Sequence, residues 1–164
     1  MNYAFIDGQN LYLNNHQDNY TVDLFRFRIY LKEKYNVTKA YYFIGAMSEE
    51  NQGLYELIQD AGFILVFRKH TVMMTGKKKG NVDTDIVYSI FTKILDDKNL
   101  TGIVLISGDG DYYKTVEYLI KNKLFVKLLA PNRHSISSLY KRFTPKYVAF
   151  LDEPDVRRKI ELTK

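Results

Sequence analysis

Apolar, β-branched or aromatic runs recur along the chain at Tyr3–Ile6, Ala40–Ile44, Phe63–Phe67, Ile103–Ile106, Phe125–Leu129 and Tyr147–Leu151. Each predicts a short strand. Helix-period stripes lie between them. Leu24, Phe27, Leu31 and Tyr35 share one face of the first. The second has Ser48 as expected N-cap, Glu49 and Glu50 in its first turn, and Leu54, Leu57, Ile58 and Ala61 as its stripe, with Gly62 as the stop. Ile86, Val87, Ile90, Phe91 and Ile94 form a third stripe, and Val116, Leu119 and Ile120 a fourth. Strand alternating with helix predicts an α/β fold: a three-layer α/β/α sandwich around a mainly parallel, doubly wound sheet.

One domain is expected over residues 1–151, followed by a charged tail, residues 152–164, that forms a short helix or frays. The longest irregular stretch is His70–Asn81, which includes Lys77, Lys78 and Lys79. A loop of that length in a small domain points to function.

Ligands of an open parallel sheet bind beyond the carboxyl ends of the strands, where the strand order reverses. The residues just past each strand are therefore informative. Asp7-Gly8-Gln9-Asn10 comes after the first, and Ser107-Gly108-Asp109-Gly110-Asp111 after the fourth. If strands one and four are neighbours, Asp7, Asp109 and Asp111 converge. Asp83 lies in line with Ile86, Val87, Ile90 and Ile94, so it points inward at the start of its helix. Asp85 falls about 200° away, on the side of Tyr88, Ser89 and Thr92. Any one of these aspartates, taken alone, reads as a helix cap or turn former. Together at one switch point they repel one another unless a cation sits between them. An all-oxygen set suits Mg²⁺ or Mn²⁺, and His16, His70 and His134 are scattered without a pair spacing.

Composition narrows the classes further. The 164 residues contain no cysteine, which removes disulfide scaffolds, thiolate metal sites and cysteine nucleophiles. No run approaches the ~20 apolar residues of a membrane span, and the N-terminus lacks the basic region of a signal peptide. A cytoplasmic address is expected. Net charge is +5, and the pI is about 9.2. Setting the four candidate acids aside leaves 24 basic residues against 15 acids, or +9 for the remainder. That excess suits a phosphate backbone, and Lys77–Lys79, just ahead of Asp83, are expected to flank the mouth of the site. Among the tyrosines, Tyr41, Tyr42, Tyr112 and Tyr113 are expected at the surface, available to a homo-oligomer or protein interface. No Walker loop, G-x-G-x-x-G or G-x-S-x-G is present. Ser107 therefore reads as a hydroxyl that orients a carboxylate or water.

Phe5-Ile6-Asp7-Gly8-Gln9-Asn10, Lys79-Gly80…Val82-Asp83 and Ser107-Gly108-Asp109-Gly110-Asp111 together resemble the NYN domain family, in particular its LabA-like (DUF88) branch within the PIN-like nucleases. The resemblance runs from about Asn2 to Leu151. It implies a PIN-like fold and Mg²⁺- or Mn²⁺-dependent ribonuclease activity. Asp7, Asp83, Asp109 and Asp111 would then be the metal site, with Asn10 and Ser107 beside it and RNA as the partner. The middle motif, Lys79-Gly80-Asn81-Val82-Asp83, is one residue longer than the commoner Lys-Gly-Val-Asp, and Asp85 is a rival acid. Two other readings stay open. One is a catalytically silent RNA-binding or complex-organising module of the same fold. The other is an aspartate-based phosphatase, disfavoured because Gln9 stands where its chemistry wants a second aspartate.

Overall fold

The computed structural model describes residues 1–11, 20–68, 82–143 and 145–163. Six strands form one sheet: β1 (Asn2–Asp7), β2 (Val37–Ile44), β3 (Ile64–Phe67), β4 (Gly102–Ile106), β5 (Phe125–Ala130) and β6 (Val148–Phe150). Their order is β3-β2-β1-β4-β5-β6, with every neighbouring pair parallel. Ile6 of β1 stands opposite Tyr42 on one side and Ile106 on the other. The chain thus builds outward from β1 in one direction, returns, and builds outward in the other. The reversal lies between β1 and β4.

Among the described residues, helices α1 (Leu24–Tyr35), α2 (Gln52–Asp60), α3 (Asp83–Asp96), α4 (Tyr113–Lys121) and α5 (Pro154–Ile160) cover the sheet. Side-chain alternation in the strands separates two cores. Ala4, Ile6, Val104 and Ile106 pack with Phe27 and Leu31 of α1, Ile58 of α2 and Ile160 of α5. Tyr3, Phe5, Ile103 and Leu105 pack with Ile86 and Ile90 of α3 and Val116 and Leu119 of α4. The outcome is the expected α/β/α sandwich.

Several local expectations need correction. Tyr41, Tyr42 and Tyr112 are buried, because β2 is an interior strand covered on both faces and Tyr112 turns into the second core. Tyr41 stacks on Phe5 at 5.3 Å, and half-buried Tyr113 stacks on Phe143 at 5.4 Å. Ser48 precedes a 3₁₀ turn, Glu49–Asn51, with no side-chain cap; its amide instead donates to the Tyr55 hydroxyl at 3.0 Å. Because α2 starts only at Gln52, its buried residues are Tyr55 and Ile58, with Ala61 just beyond. Leu54 and Leu57 are exposed, since β3, the edge strand beside them, is only four residues long. Gly62 ends the helix as expected, at a positive φ of 91° that side chains disfavour.

Residues past Leu151 are not merely a charged end. α5 returns to α1, Val22 bridges Glu161, and Ile160 is fully buried. Replacing Ile160 by alanine should therefore destabilise the protein by about 2–5 kcal/mol. Urea unfolding followed by circular dichroism would read this as a lower midpoint with unchanged slope.

Candidate metal centre

The carboxyl ends of β1 and β4 lie side by side, and their polar side chains bind one strand end to the other. Asp7 closes β1, and the chain turns at Gly8 into a helical segment, residues 8–11. A Cβ at Gly8 would stand 2.6 Å from the Phe43 carbonyl oxygen and from the Tyr42 ring, so only glycine permits this turn against β2. Asp7 Oδ1 accepts the Asn10 amide at 3.1 Å. The Asn10 side-chain oxygen accepts the Gly108 amide at 2.9 Å. Ser107 Oγ accepts the Asp109 amide at 3.1 Å and lies 3.5 Å from Asp7 Oδ2, to which it donates. Asn10 and Ser107, expected beside the site, are thus the groups that couple its two halves.

The turn after β4 is held from behind. Asp109 Oδ1 accepts the Asp111 amide at 2.9 Å, opening the 3₁₀ turn Gly110–Tyr112. The Ser137 amide donates to the Gly108 carbonyl at 2.9 Å, and the Tyr140 hydroxyl donates to the Asp109 carbonyl. Asp83 enters from the other side, in the first turn of α3, where the helix dipole favours a negative charge.

These elements bring Asp83, Asp109 and Asp111 together: one carboxylate oxygen from each lies within 4.8 Å of the others. Asp83 is buried, Asp109 half-buried and Asp111 exposed, so the cluster opens to solvent on one side. Asp85 is outside this group. Asp7 is also outside it but is tied to Asp83 by Tyr112. The Tyr112 hydroxyl is 2.7 Å from Asp83 Oδ1 and 3.1 Å from Asp7 Oδ2. Lys77, Lys78 and Lys79 lie outside the described residues.

The electrostatics follow from burial. Removal from water raises the Asp7 carboxyl above its ordinary range; hydrogen bonds from the Asn10 amide and Tyr112 oppose the shift, and the Asp109 charge adds to it. Burial and the two neighbouring carboxylates push the Tyr112 hydroxyl strongly upward, so it remains a neutral donor. It has a single proton for two acceptors. Among the described residues the donor set is all oxygen, which fits a hard divalent cation.

Sequence reasoning missed Tyr112. The signal was available: Tyr112, Val116 and Leu119 share one helical face, and the latter two are core residues. Tyr140, at the far side of the Asp109 turn, carried no comparable signal.

Comparison with known proteins gives the same outline. The family model of the NYN domain matches residues 3–151. The "Low amplitude and bright protein LabA" of Synechococcus elongatus is 23% identical over 169 residues, covering 98% of this chain and 87% of that protein. A crystal structure of a protein of unknown function from Vibrio parahaemolyticus superposes with a TM-score of 0.78 at 18% identity, covering 98% of this chain and 95% of the other. That similarity is one of fold.

Burial makes the Asp7 charge a cost to the fold. Its folded-state pKa lies above the unfolded value, so the folded state holds its proton more tightly. The associated stability is therefore lost as pH rises from the unfolded pKa through the folded one. At pH 7 in EDTA, Asp7→Asn should melt higher than the parent, because it removes the buried charge and still accepts the Asn10 amide. Each 1 kcal/mol gained appears as roughly 2–4 °C in a calorimetric scan. A lower melting temperature would show that the Asp7 charge is favourable in the metal-free fold.

Proposed function

The chain belongs to the NYN domain family, of the PIN-like nuclease superfamily, and from that premise we propose that it is a ribonuclease dependent on Mg²⁺ or Mn²⁺. The observation that carries this reading is the convergence of the Asp83, Asp109 and Asp111 carboxylates at the sheet's switch point, with Asp7 held behind Asp83 by Tyr112. Three carboxylates at such distances repel one another in the absence of positive charge.

In this reading, Asp83, Asp109 and Asp111 would hold the cation, with Asp7 joined to Asp83 through the Tyr112 hydroxyl. When bound, the cation supplies the charge that makes water nucleophilic near neutral pH and stabilises the departing oxygen of a phosphodiester. The reaction is hydrolysis: water adds to phosphorus, one P–O ester bond breaks, and a phosphate monoester and a hydroxyl remain. The chain's own residues supply position. Tyr112 fixes the orientation of Asp83 and Asp7 through its one proton. Asn10 and Ser107 keep the ends of β1 and β4 in register. The half-open side, where Asp111 is exposed, admits the substrate. The lysine run Lys77–Lys79 neutralises the RNA backbone, and residues 1–151 act as the nuclease domain, in the cytoplasm.

The test is cleavage of labelled single-stranded RNA and DNA in Mg²⁺, Mn²⁺ or EDTA. Metal-dependent cutting of RNA by the parent, abolished in Asp109→Asn, is the expected result. Full activity in Asp109→Asn would overturn the mechanism. Binding without turnover in either metal would replace the nuclease with the RNA-binding module.

Tyr112→Phe keeps the ring and removes the bridge. Groups that orient metal ligands typically matter about 10- to 100-fold in metal affinity or activity. A loss of that size is expected, recovered in part by raising Mn²⁺. An unchanged metal-titration curve would assign Tyr112 to packing alone.

A further inference from the structure

A groove of about 740 Å³ runs along the outer edge of β6. Its lower end is formed by Lys34 and Tyr35 of α1, at the end of the sheet where the strands begin. There Asn2, the first residue of β1, donates its side-chain amide to the Tyr35 carbonyl at 2.7 Å. Arg133 and Ser137, beyond the carboxyl end of β5, form its upper end. It therefore spans the sheet from bottom to top on the flank nearest the Asp109 turn.

Its chemistry is that of a polyanion site. Lys34, Lys127, Arg133 and Lys141 line it, and Glu153 is the sole acid among its described lining residues. Glu153 is already ion-paired with Arg133. Among the described residues no salt bridge neutralises Lys34, Lys127 or Lys141. Partial burial, and after it the like charges of Lys34 and Lys146, lowers the Lys127 pKa, and the Lys127 ammonium donates to the Lys146 carbonyl. Phe143 and Phe150, both half-buried, add aromatic surface between the cations. Basic grooves with aromatic surface are the recurrent means of holding single strands.

The groove is also joined to the aspartate cluster. Ser137 and Tyr140 line it, and these residues hold the Asp109 turn through the Gly108 and Asp109 carbonyls. A Cβ on Gly110 would come 2.6 Å from Ser137 Oγ, so groove wall and acidic turn are in direct contact.

We propose that this groove binds a segment of single-stranded RNA through its phosphates and holds the strand for the aspartate cluster. The choice of RNA rests on the nuclease reading; the location and chemistry rest on the groove alone. It is an anchor away from the reacting phosphate.

The test is fluorescence anisotropy of a labelled 20-nucleotide oligouridylate in EDTA, across a salt series, with cleavage in Mn²⁺ measured separately. Two variants are compared with the parent: Lys34→Ala/Lys127→Ala/Lys141→Ala, and Lys34→Glu/Lys141→Glu, which changes only exposed side chains and keeps the fold. Both should weaken binding about tenfold or more, and the triple variant should flatten the log–log salt slope by about 2, at roughly 0.7 per lost phosphate contact. Unchanged binding in the folded Lys34→Glu/Lys141→Glu variant, or no oligouridylate binding by the parent, would overturn the groove assignment. The nuclease reading fails separately: binding lost in both variants with no cleavage by the parent leaves the groove and removes the nuclease. Cleavage by the parent with variant binding unchanged does the reverse.

Discussion

Negative charge gathered at the mouth of a parallel sheet is the constraint on which the rest of this structure depends. Asp7, Asp83, Asp109 and Asp111 come from the ends of two strands and the start of a helix, and their repulsion must be absorbed within the fold. Part of the answer is backbone: the amides of Asn10 and Asp111 donate to Asp7 and Asp109. Part is the fully buried Tyr112 hydroxyl, placed between the two most deeply buried carboxylates. One proton serves two acids there, which leaves room for a cation to supply the remaining stabilisation. In the function we propose, such a site trades stability of the metal-free fold for affinity toward a charged ligand.

The strand order turns that local chemistry into a site. With β1 and β4 adjacent, segments separated by about a hundred residues in sequence become neighbours, and Asn10 can reach Gly108. Close packing holds the arrangement in place. Gly8 lies where a Cβ would strike β2, and Gly110 where it would strike Ser137. The same economy links the acidic turn to the basic flank, since the segment supporting Asp109 also walls the groove along β6. Acidic centre and basic groove thus share one short stretch of chain, Ser137–Tyr140, which supports the first and walls the second. For the RNA substrate we propose, itself a chain of phosphates, that contiguity would place affinity where it does not disturb the reacting group.

The chain by itself determined its strands, its helical faces and the candidate acids, because alternation and helical period are local properties that burial on each face enforces. Asp83 was distinguishable from Asp85 on that ground alone, and the structure buries Asp83 beside Ile86 and Ile90. Tertiary structure decided what depends on which segments become neighbours. Tyr41 and Tyr42 look available in the sequence but are buried because both faces of β2 are covered. Leu54 and Leu57 look like core but remain exposed beside a short edge strand. The Tyr112 bridge, the Tyr140 support and the basic groove join residues distant in sequence, and no periodic signal encodes such pairings. They arise from the order of the strands, which is set by the packing of the whole sheet.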